Sequence, residues 1–511
     1  MRIPKLDYSN SIVNDWEDVF RSMLQQGGSA VDGAIAALLC TSVVNPQSMG
    51  IGGGSILTIR NKKVEVYNFR ETVPQSFKSN LLNDCKSTFG LTTGSQWIGV
   101  PGELRGYEAV HKQYGKLPWA KLFEPTIKLA GEGIPLPVFL GNLLKFSIVK
   151  DHFTPVYPLF EPFLHDTGDI LKFPKLAETM KTIAEQGADA FYTGKIGQDL
   201  IRDVEAAGGT LKREDLKSFQ VRVEDAWTVP VGDTKMHFPP PPAGGPLLAF
   251  LLSLMKGFCV NCSLDGDQKI QTYHHFIEAA KFTNGQKKSI TDPLFNDKKS
   301  ADHLIDPSFI NQIRDMIFSN RTHDNSYYNN AKPSRDHVGT THVSVLDQDG
   351  LAVSATSTIN QLFGGGIYSP RTGIILNNEL SDFCGRADTV RAGERPPSSM
   401  IPVILESKSG GLLVIGGSGG SMITSAVALS IVNRLWLGMN LKDAIAAPIV
   451  FVDSSNNVNF EPGFNKVRHS SLGHKPGSWK YFFNVVNAVE KENGCIAAVS
   501  DSRKNGMSAG Y

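Results

Sequence analysis

The sequence predicts a mixed α/β (α+β) protein. Three observations carry that reading. An alanine-rich helical stretch near the start runs into a pair of β-branched strands, a threonine-rich hairpin stands in the second half, and a glycine-rich loop further on opens a buried helix. Apolar residues recur at helical spacing in the first and third and alternate in the second, which is how period 3.6 is told from period 2.

Taken in order, residues 17–45 read as helix with a break at Gly27-Gly28. Ser29 is a good N-cap, and Asp32 falls three residues on, in the first turn where an acid is favoured. Gly50-Ile51-Gly52-Gly53-Gly54 follows and looks like a phosphate loop only superficially, since no Gly-Lys-Ser/Thr follows and no helix opens there; tight backbone packing is the expectation. Residues 55–60 and 63–69 form a strand pair turning at Asn61-Lys62. Residues 100–220 read as mainly helical. The run Pro239-Pro240-Pro241-Pro242 fits either a ligand for an aromatic groove or a lead-in to the apolar helix after it, and its apolar flanks favour the second. Residues 285–338 are polar and are expected to be exposed and mobile.

Bulk properties exclude several classes. In 511 residues, hydrophobic content of 41% with 20% charged residues fits a globular chain with a full core. A net charge of +1 gives no electrostatic case for nucleic acid. No apolar run reaches the ~18 residues of a membrane span, and the first residues show no signal-peptide core. The six cysteines are too few for a disulfide-built scaffold. Cys259 and Cys262 make a lone Cys-x-x-Cys with no second pair nearby, so packing thiols or one local disulfide are expected rather than a metal. Acceptor sequons for glycosylation stand at Asn261 and Asn320.

The most informative stretch is the hairpin at residues 339–358, two β-branched runs around Asp349-Gly350. With a three-residue loop Asp347 faces Leu351 and Thr340 faces Thr358; a two-residue loop shifts this by one. Either register leaves the two threonines neighbours. A threonine hydroxyl needs a base within reach. Cutting the Gly339–Thr340 bond would free an α-amine with a pKa of about 8 on Thr340 itself, and Thr358 would orient the hydroxyl or the amine. The loop Gly416-Gly417-Ser418-Gly419-Gly420-Ser421 then opens an apolar helix over residues 422–437. Its N–H groups suit a phosphate or an oxyanion, or the loop is simply a tight strand-to-helix turn. Glu379 and Asp382, three residues apart, fit an ammonium site, an acid/base pair or a solvated surface. Ser398 and Ser399 follow two prolines, where turn hydroxyls are commonly structural.

Together these segments resemble the gamma-glutamyltransferase (glutathione hydrolase) family of N-terminal-nucleophile hydrolases. The stretches GGSAVDGAIAALLC, SMGIGGGSILTI, YNFRETVP, VPGELRGYEAVHKQYGKLPWAKLFEPTIKLA, GTTHVSVLDQDGLAVSATSTINQLFGGG, GIILNNELSDF, PSSMIPVIL, GGSGGSMITSAVAL and SDSRKNGMSAGY occur in family order from Gly27 to Tyr511. The resemblance implies a four-layer αββα sandwich built jointly by two subunits cut from one precursor, residues 1–339 and 340–511. It makes Thr340 the nucleophile, helped by Thr358, with Gly419 and Gly420 at the oxyanion. It gives Arg70, Ser398 and Ser399 to the substrate's α-carboxylate, and Asn360, Glu379 and Asp382 to its α-amine. The implied partners are γ-glutamyl compounds such as glutathione and leukotriene C4, and the two cleavage products pair with each other. No cofactor and no metal is implied. The family's place is the outer face of the cell membrane. Relatives begin with an anchor, a core strand and a cysteine, where this chain has MRIPKLDYSNSIVNDWEDVF. A sheet without a recognisable first strand is therefore expected, and Cys40 matches a family cysteine whose partner position holds no cysteine here. Two other readings remain: an acylase for another side chain, and an unprocessed homologue acting as a binding or interaction protein.

Overall fold

The computed structural model describes residues 15–85, 92–145, 169–258, 266–330, 338–462, 464, 472–478, 484–504 and 506–510. The first helix α1 (Asp15–Gln25) packs on α2 (Ala30–Val44) across the Gly27-Gly28 break. Ser29 and Asp32 close a reciprocal capping box on α2. Helix α2 is buried on nearly every face. Its small residues let it lie close under the first sheet, built from β1 (Gly54–Arg60), β2 (Val64–Asn68), β3 (Arg222–Asp225), β6 (Thr341–Leu346) and β7 (Ala352–Thr358). The sheet runs in the order β3-β2-β1-β7-β6, and every pairing is antiparallel. Helices α3 (Glu103–Tyr114), α4 (Trp119–Glu132), α5 (Pro174–Gln186) and α6 (Lys195–Ala206) agree with the helical expectation for residues 100–220, of which 146–168 lie outside the described residues.

The second sheet contains β4 (Trp227–Val231), β5 (Thr234–Phe238), β8 (Val403–Ser407), β9 (Leu412–Ser418), β10 (Val485–Glu492) and β11 (Cys495–Ser500), ordered β11-β10-β9-β8-β5-β4. Its outer face is covered by α7 (Gly245–Phe258), α8 (Gly266–Gly285) and α9 (Ile423–Leu435). The two sheets face each other, so the layers run helix, sheet, sheet, helix. One apolar core lies between α2–α6 and the first sheet, and another between the second sheet and its helices. Between the sheets sit Leu346, Ala352, Ile404, Leu412, Val414 and Val489. Polar ties cross the same gap: Thr58 Oγ1 donates to Pro402 O at 2.7 Å and Ser354 Oγ to Ile415 O at 3.1 Å.

Among the described residues β6 pairs only with β7. A cavity of about 510 Å³ runs along its other side, lined by Phe20 and Leu24 of α1, by β10 and β11, and by Lys504. No helix of the described residues is long and apolar enough to cross a membrane. The Pro239–Pro242 run is a lead-in, as its flanks suggest: Pro242 O accepts the Ser398 amide at 2.7 Å and α7 follows directly. The glycines at 52–54 serve close packing, because a Cβ on Gly53 would stand 2.0 Å from Thr358 O.

One expectation is overturned. Residues 285–330 are not exposed throughout but are anchored to the second core. Tyr328 is fully buried, and its hydroxyl donates to Glu278 Oε2 at 2.7 Å. Leu304, Ile310 and Ile313 enter the second core. The polar letters are spent internally: Asn325 Nδ2 donates to Ser455 O and Asn330 Nδ2 to Ser454 O. Residues 331–337, Asn261, Cys259 and Cys262 lie outside the described residues.

Candidate active site

The hairpin adopts the three-residue-loop register. Thr341 pairs with Ser357 and Leu346 with Ala352, and Asp347 closes the turn by accepting the Asp349 and Leu351 amides at 3.0 Å each. This brings Thr340 Oγ1 to 3.2 Å from Thr358 Oγ1, both buried. Thr358 Oγ1 also accepts the Asn360 amide at 2.8 Å. Its own proton is then available for Thr340.

The backbone at the expected cut is strained. Thr340 has φ 83° and Gly339 φ 152°. Positive φ is rare for a β-branched residue and costs on the order of 1–3 kcal/mol. No side chain fits at position 339, because a Cβ there would stand 1.8 Å from Asn360 O. The Gly419 amide donates to Gly339 O at 2.9 Å. Gly419 (φ 120°) and Gly420 (φ 59°) use the left-handed region that glycine enters at no steric cost. A short 3₁₀ turn, Gly420–Met422, then leads into α9.

The charged half of the site is assembled from four segments. Glu379 and Asp382 lie on one 3₁₀ turn, Glu379–Phe383. That turn is fastened by Asn377 Nδ2, which donates to Gly52 O and Gly99 O at 2.8 and 2.9 Å, and by the Cys85–Cys384 disulfide. Both carboxylates meet Arg70, which is 1% exposed. Arg70 Nη2 donates to Asp382 Oδ2 at 2.6 Å, and Nη1 pairs with Glu379 Oε1. Arg70 also holds the proline pair, through Nε to Pro396 O at 2.8 Å and Nη2 to Pro397 O at 2.9 Å. Ser398 and Ser399 follow directly; Ser398 Oγ accepts the Met400 amide at 3.0 Å, which leaves its proton free to donate. Asn360 Nδ2 donates to Ser381 Oγ at 2.9 Å and Asn378 O at 3.1 Å. Hydrogen bonds and chain adjacency run from Arg70 through the Ser381–Asp382 turn, Asn360, Thr358, Thr340 and Gly339 to the Gly419–Gly420 loop; Ser399 and Gly420 join this path as the chain neighbours of Ser398 and Gly419.

Burial sets the electrostatics. It pushes Glu379 up to about 8 against the pull of Arg70. Glu71, beside Arg70, is driven well above the carboxylate range, first by burial and then by the neighbouring Glu379. Among the described residues neither Glu71 oxygen has a partner. Glu103 is raised to about 7 by burial, although the hydroxyls of Tyr107, Ser55 and Ser357 pull it down. His342, two residues from Thr340, is pushed down to about 3 by burial and sits between Thr356 Oγ1 and Ser344 Oγ at 2.9 Å each. Lys504 Nζ lies 3.4 Å from Ser418 Oγ, and burial lowers it to about 8. Sequence reasoning did not single out Glu71, Glu103, His342 or Lys504. The alternation of β6 places His342 on the inter-sheet face and was the one available signal.

Cys40 is buried and free, its thiol raised to about 12 by burial. A cluster of possible metal ligands, His274, Glu278 and His474, exists among the described residues. Lys281 Nζ already occupies it, 3.2 Å from Glu278 Oε1 and 3.0 Å from His474 Nδ1.

A hydroxyl at the head of a strand in a two-sheet sandwich, facing a glycine loop and a buried arginine–carboxylate cluster, has the architecture of N-terminal-nucleophile hydrolases. The solved cephalosporin acylase from Bacillus halodurans shares the fold, with a TM-score of 0.84, 23% identity and 98% of each chain covered. The chain belongs to the gamma-glutamyltranspeptidase family, whose model matches residues 18–511. It is 45% identical to glutathione hydrolase 5 proenzyme of Mus musculus and 45% identical to that of Homo sapiens, in each case over 97% of this chain and 91% of the relative.

Proposed function

We propose that this chain is a self-processing γ-glutamyl hydrolase/transferase acting on glutathione and on its S-conjugates such as leukotriene C4. One observation carries the reading: Thr340 Oγ1 is held by Thr358 while the carbonyl on its N-terminal side, Gly339 O, is held by Gly419.

In the precursor, Thr340 Oγ1 adds to the Gly339 carbonyl carbon, and the oxygen's developing charge rests on the Gly419 amide. The C–N bond breaks, the hydroxyl proton passes to the leaving amine, and an ester joins Gly339 to Thr340. Water hydrolyses the ester, giving segments 1–339 and 340–511, with the hydroxyl restored and the α-amine free. Backbone strain at Thr340 is relieved in the same event. The two segments remain one folded body, since β6 and β7 of the second complete a sheet begun by β1–β3 of the first.

In the mature site the α-amine takes the Thr340 hydroxyl proton, directly or through water, and Oγ1 attacks the γ-amide of the substrate. Gly419 and Gly420 stabilise the oxyanion. Cysteinylglycine or its S-conjugate leaves as the amine, and water or an acceptor peptide releases the glutamyl group. Glu379, Asp382 and Asn360 take the α-ammonium; Arg70, Ser398 and Ser399 take the α-carboxylate, which suits an arginine's forked donors. The arginine-centred cluster favours glutamyl recognition over that of an uncharged acyl group.

The Cys85–Cys384 disulfide fits an oxidising compartment, in line with a place at the outer face of the cell membrane. Asn320 lies in an exposed turn and is open to glycosylation. Incubating the purified protein with glutathione should yield glutamate and cysteinylglycine, and the Thr340→Ala protein should yield neither; equal product from both proteins would refute the assignment.

A further inference from the structure

The bond between Gly339 and Thr340 falls between the two halves of a disulfide. Cys85 and Cys384 are joined, their Cα atoms 5.7 Å apart, across 299 positions. In the uncut chain that link closes a loop. Once the loop is opened between residues 339 and 340, the same link joins segment 1–339 to segment 340–511.

The 3₁₀ turn Glu379–Phe383 belongs to the second segment, and the residues at both of its ends are pinned to the first. Before the turn, Asn377 Nδ2 donates to Gly52 O and Gly99 O at 2.8 and 2.9 Å, and Asn377 Oδ1 accepts the Gly99 amide at 2.9 Å. After it, Cys384 donates its amide to Ser381 O at 3.0 Å and carries the link to Cys85. Leu380 and Phe383 of the turn pack with Val73, Leu81 and Trp97 of the first segment, all buried. Cys384 itself is 3% exposed. Hydrogen bonds and apolar contacts between two separate chains are lost together when the chains part, whereas a covalent link survives. It keeps each segment at a high effective concentration for the other, so a local opening closes again instead of ending in dissociation.

We propose that Cys85–Cys384 is a covalent bridge between the two cleavage products, and that it acts as a positioning element. It holds the turn carrying Glu379 and Asp382 against Arg70 after the chain is cut. The inference rests on the self-cleaving reading above. It makes the mature protein one covalent unit whose glutamyl site depends on an intact disulfide.

The first test is a denaturing gel of the purified full chain, run with and without dithiothreitol after free thiols are blocked with N-ethylmaleimide. The wild type should run as one species of full mass without reductant and as two fragments with it. Cys384→Ala should give two fragments under both conditions. Two fragments from the unreduced wild type overturn the bridge and leave the self-cleaving reading standing. One species under both conditions overturns both. The second test reads the site. In Cys384→Ala, and in folded wild type treated with dithiothreitol, KM for γ-glutamyl-p-nitroanilide should rise about 2- to 30-fold, the range for a group acting on a site it does not touch. The kcat should change little, because Thr340 and Gly419 lie outside this turn. Cys85→Ala should match Cys384→Ala, and the double variant should be no worse than either, since each removes the same bond. A KM unchanged in all three variants removes the positioning role.

Discussion

The amide of Gly419 donates to the carbonyl of Gly339 at 2.9 Å, although 80 positions separate them and the two lie on different sheets' loops. An amide aimed at the carbonyl whose carbon is to be attacked is poised for the charge that develops there. Gly419→Ala must abandon φ 120° or accept strain, which turns that amide away. Self-cleavage should slow about 100- to 1000-fold, the usual effect of losing one oxyanion donor. A time course on a denaturing gel reads this directly; a variant that matures at the wild-type rate would remove Gly419 from the cleavage step.

Thr358 tests the other grip on the nucleophile. Thr358→Val keeps the shape and loses the 3.2 Å contact to Thr340 Oγ1 as well as the acceptor for the Asn360 amide. Turnover should drop with little change in KM, and Thr358→Ser should restore most of it. If valine is as active as serine, the hydroxyl has no part in orienting Thr340.

Much of this geometry is legible in the sequence because it is local. The turn residues and β-branched alternation of the hairpin narrow its register to two, of which the fold takes one, and Ser29 with Asp32 marks the start of α2 through the cap alone. The glycine loop before α9 is legible for the same reason. What escapes notice depends on contacts distant in sequence. The ion pairs of Arg70 exist only because the Glu379–Phe383 turn is brought beside it from more than 300 positions away. Glu71 is raised only because the fold buries it and brings the charge of Glu379 beside it. Residues 285–330 mislead because their asparagines and tyrosines look solvated, yet they bond Ser454, Ser455 and Glu278 from elsewhere in the chain.

The Arg70 ion pairs should be visible in stability. Arg70→Ala strands Asp382 without a counter-charge in a buried site. Breaking a buried pair by removing one partner costs about 3–5 kcal/mol, so the urea midpoint should fall clearly, with loss of γ-glutamyl turnover. An unchanged midpoint would mean that the Arg70–Asp382 pair contributes nothing to the fold.

His342 gives a pH signature. Burial holds it at about 3 in the folded chain, whereas an unfolded histidine titrates near ~6.5. Above that value both states are neutral and stability is unaffected. As pH falls below it the unfolded chain takes up a proton that the folded one refuses, so stability declines by about 1.4 kcal/mol per pH unit down towards pH ~3. Comparing denaturation midpoints of wild type and His342→Gln at pH 7, 6, 5 and 4 isolates this contribution. The gap between the two proteins should shift steadily in favour of the variant as acid is added; a constant gap would show that His342 is not held neutral.

The central claim is that Thr340 becomes an N-terminus. Intact-mass measurement with N-terminal sequencing of the purified protein should find two chains, one ending at Gly339 and the other beginning Thr340-Thr341-His342, while Thr340→Ala gives one. A wild-type protein still continuous through residues 339 and 340, yet able to turn over glutathione, would contradict the account.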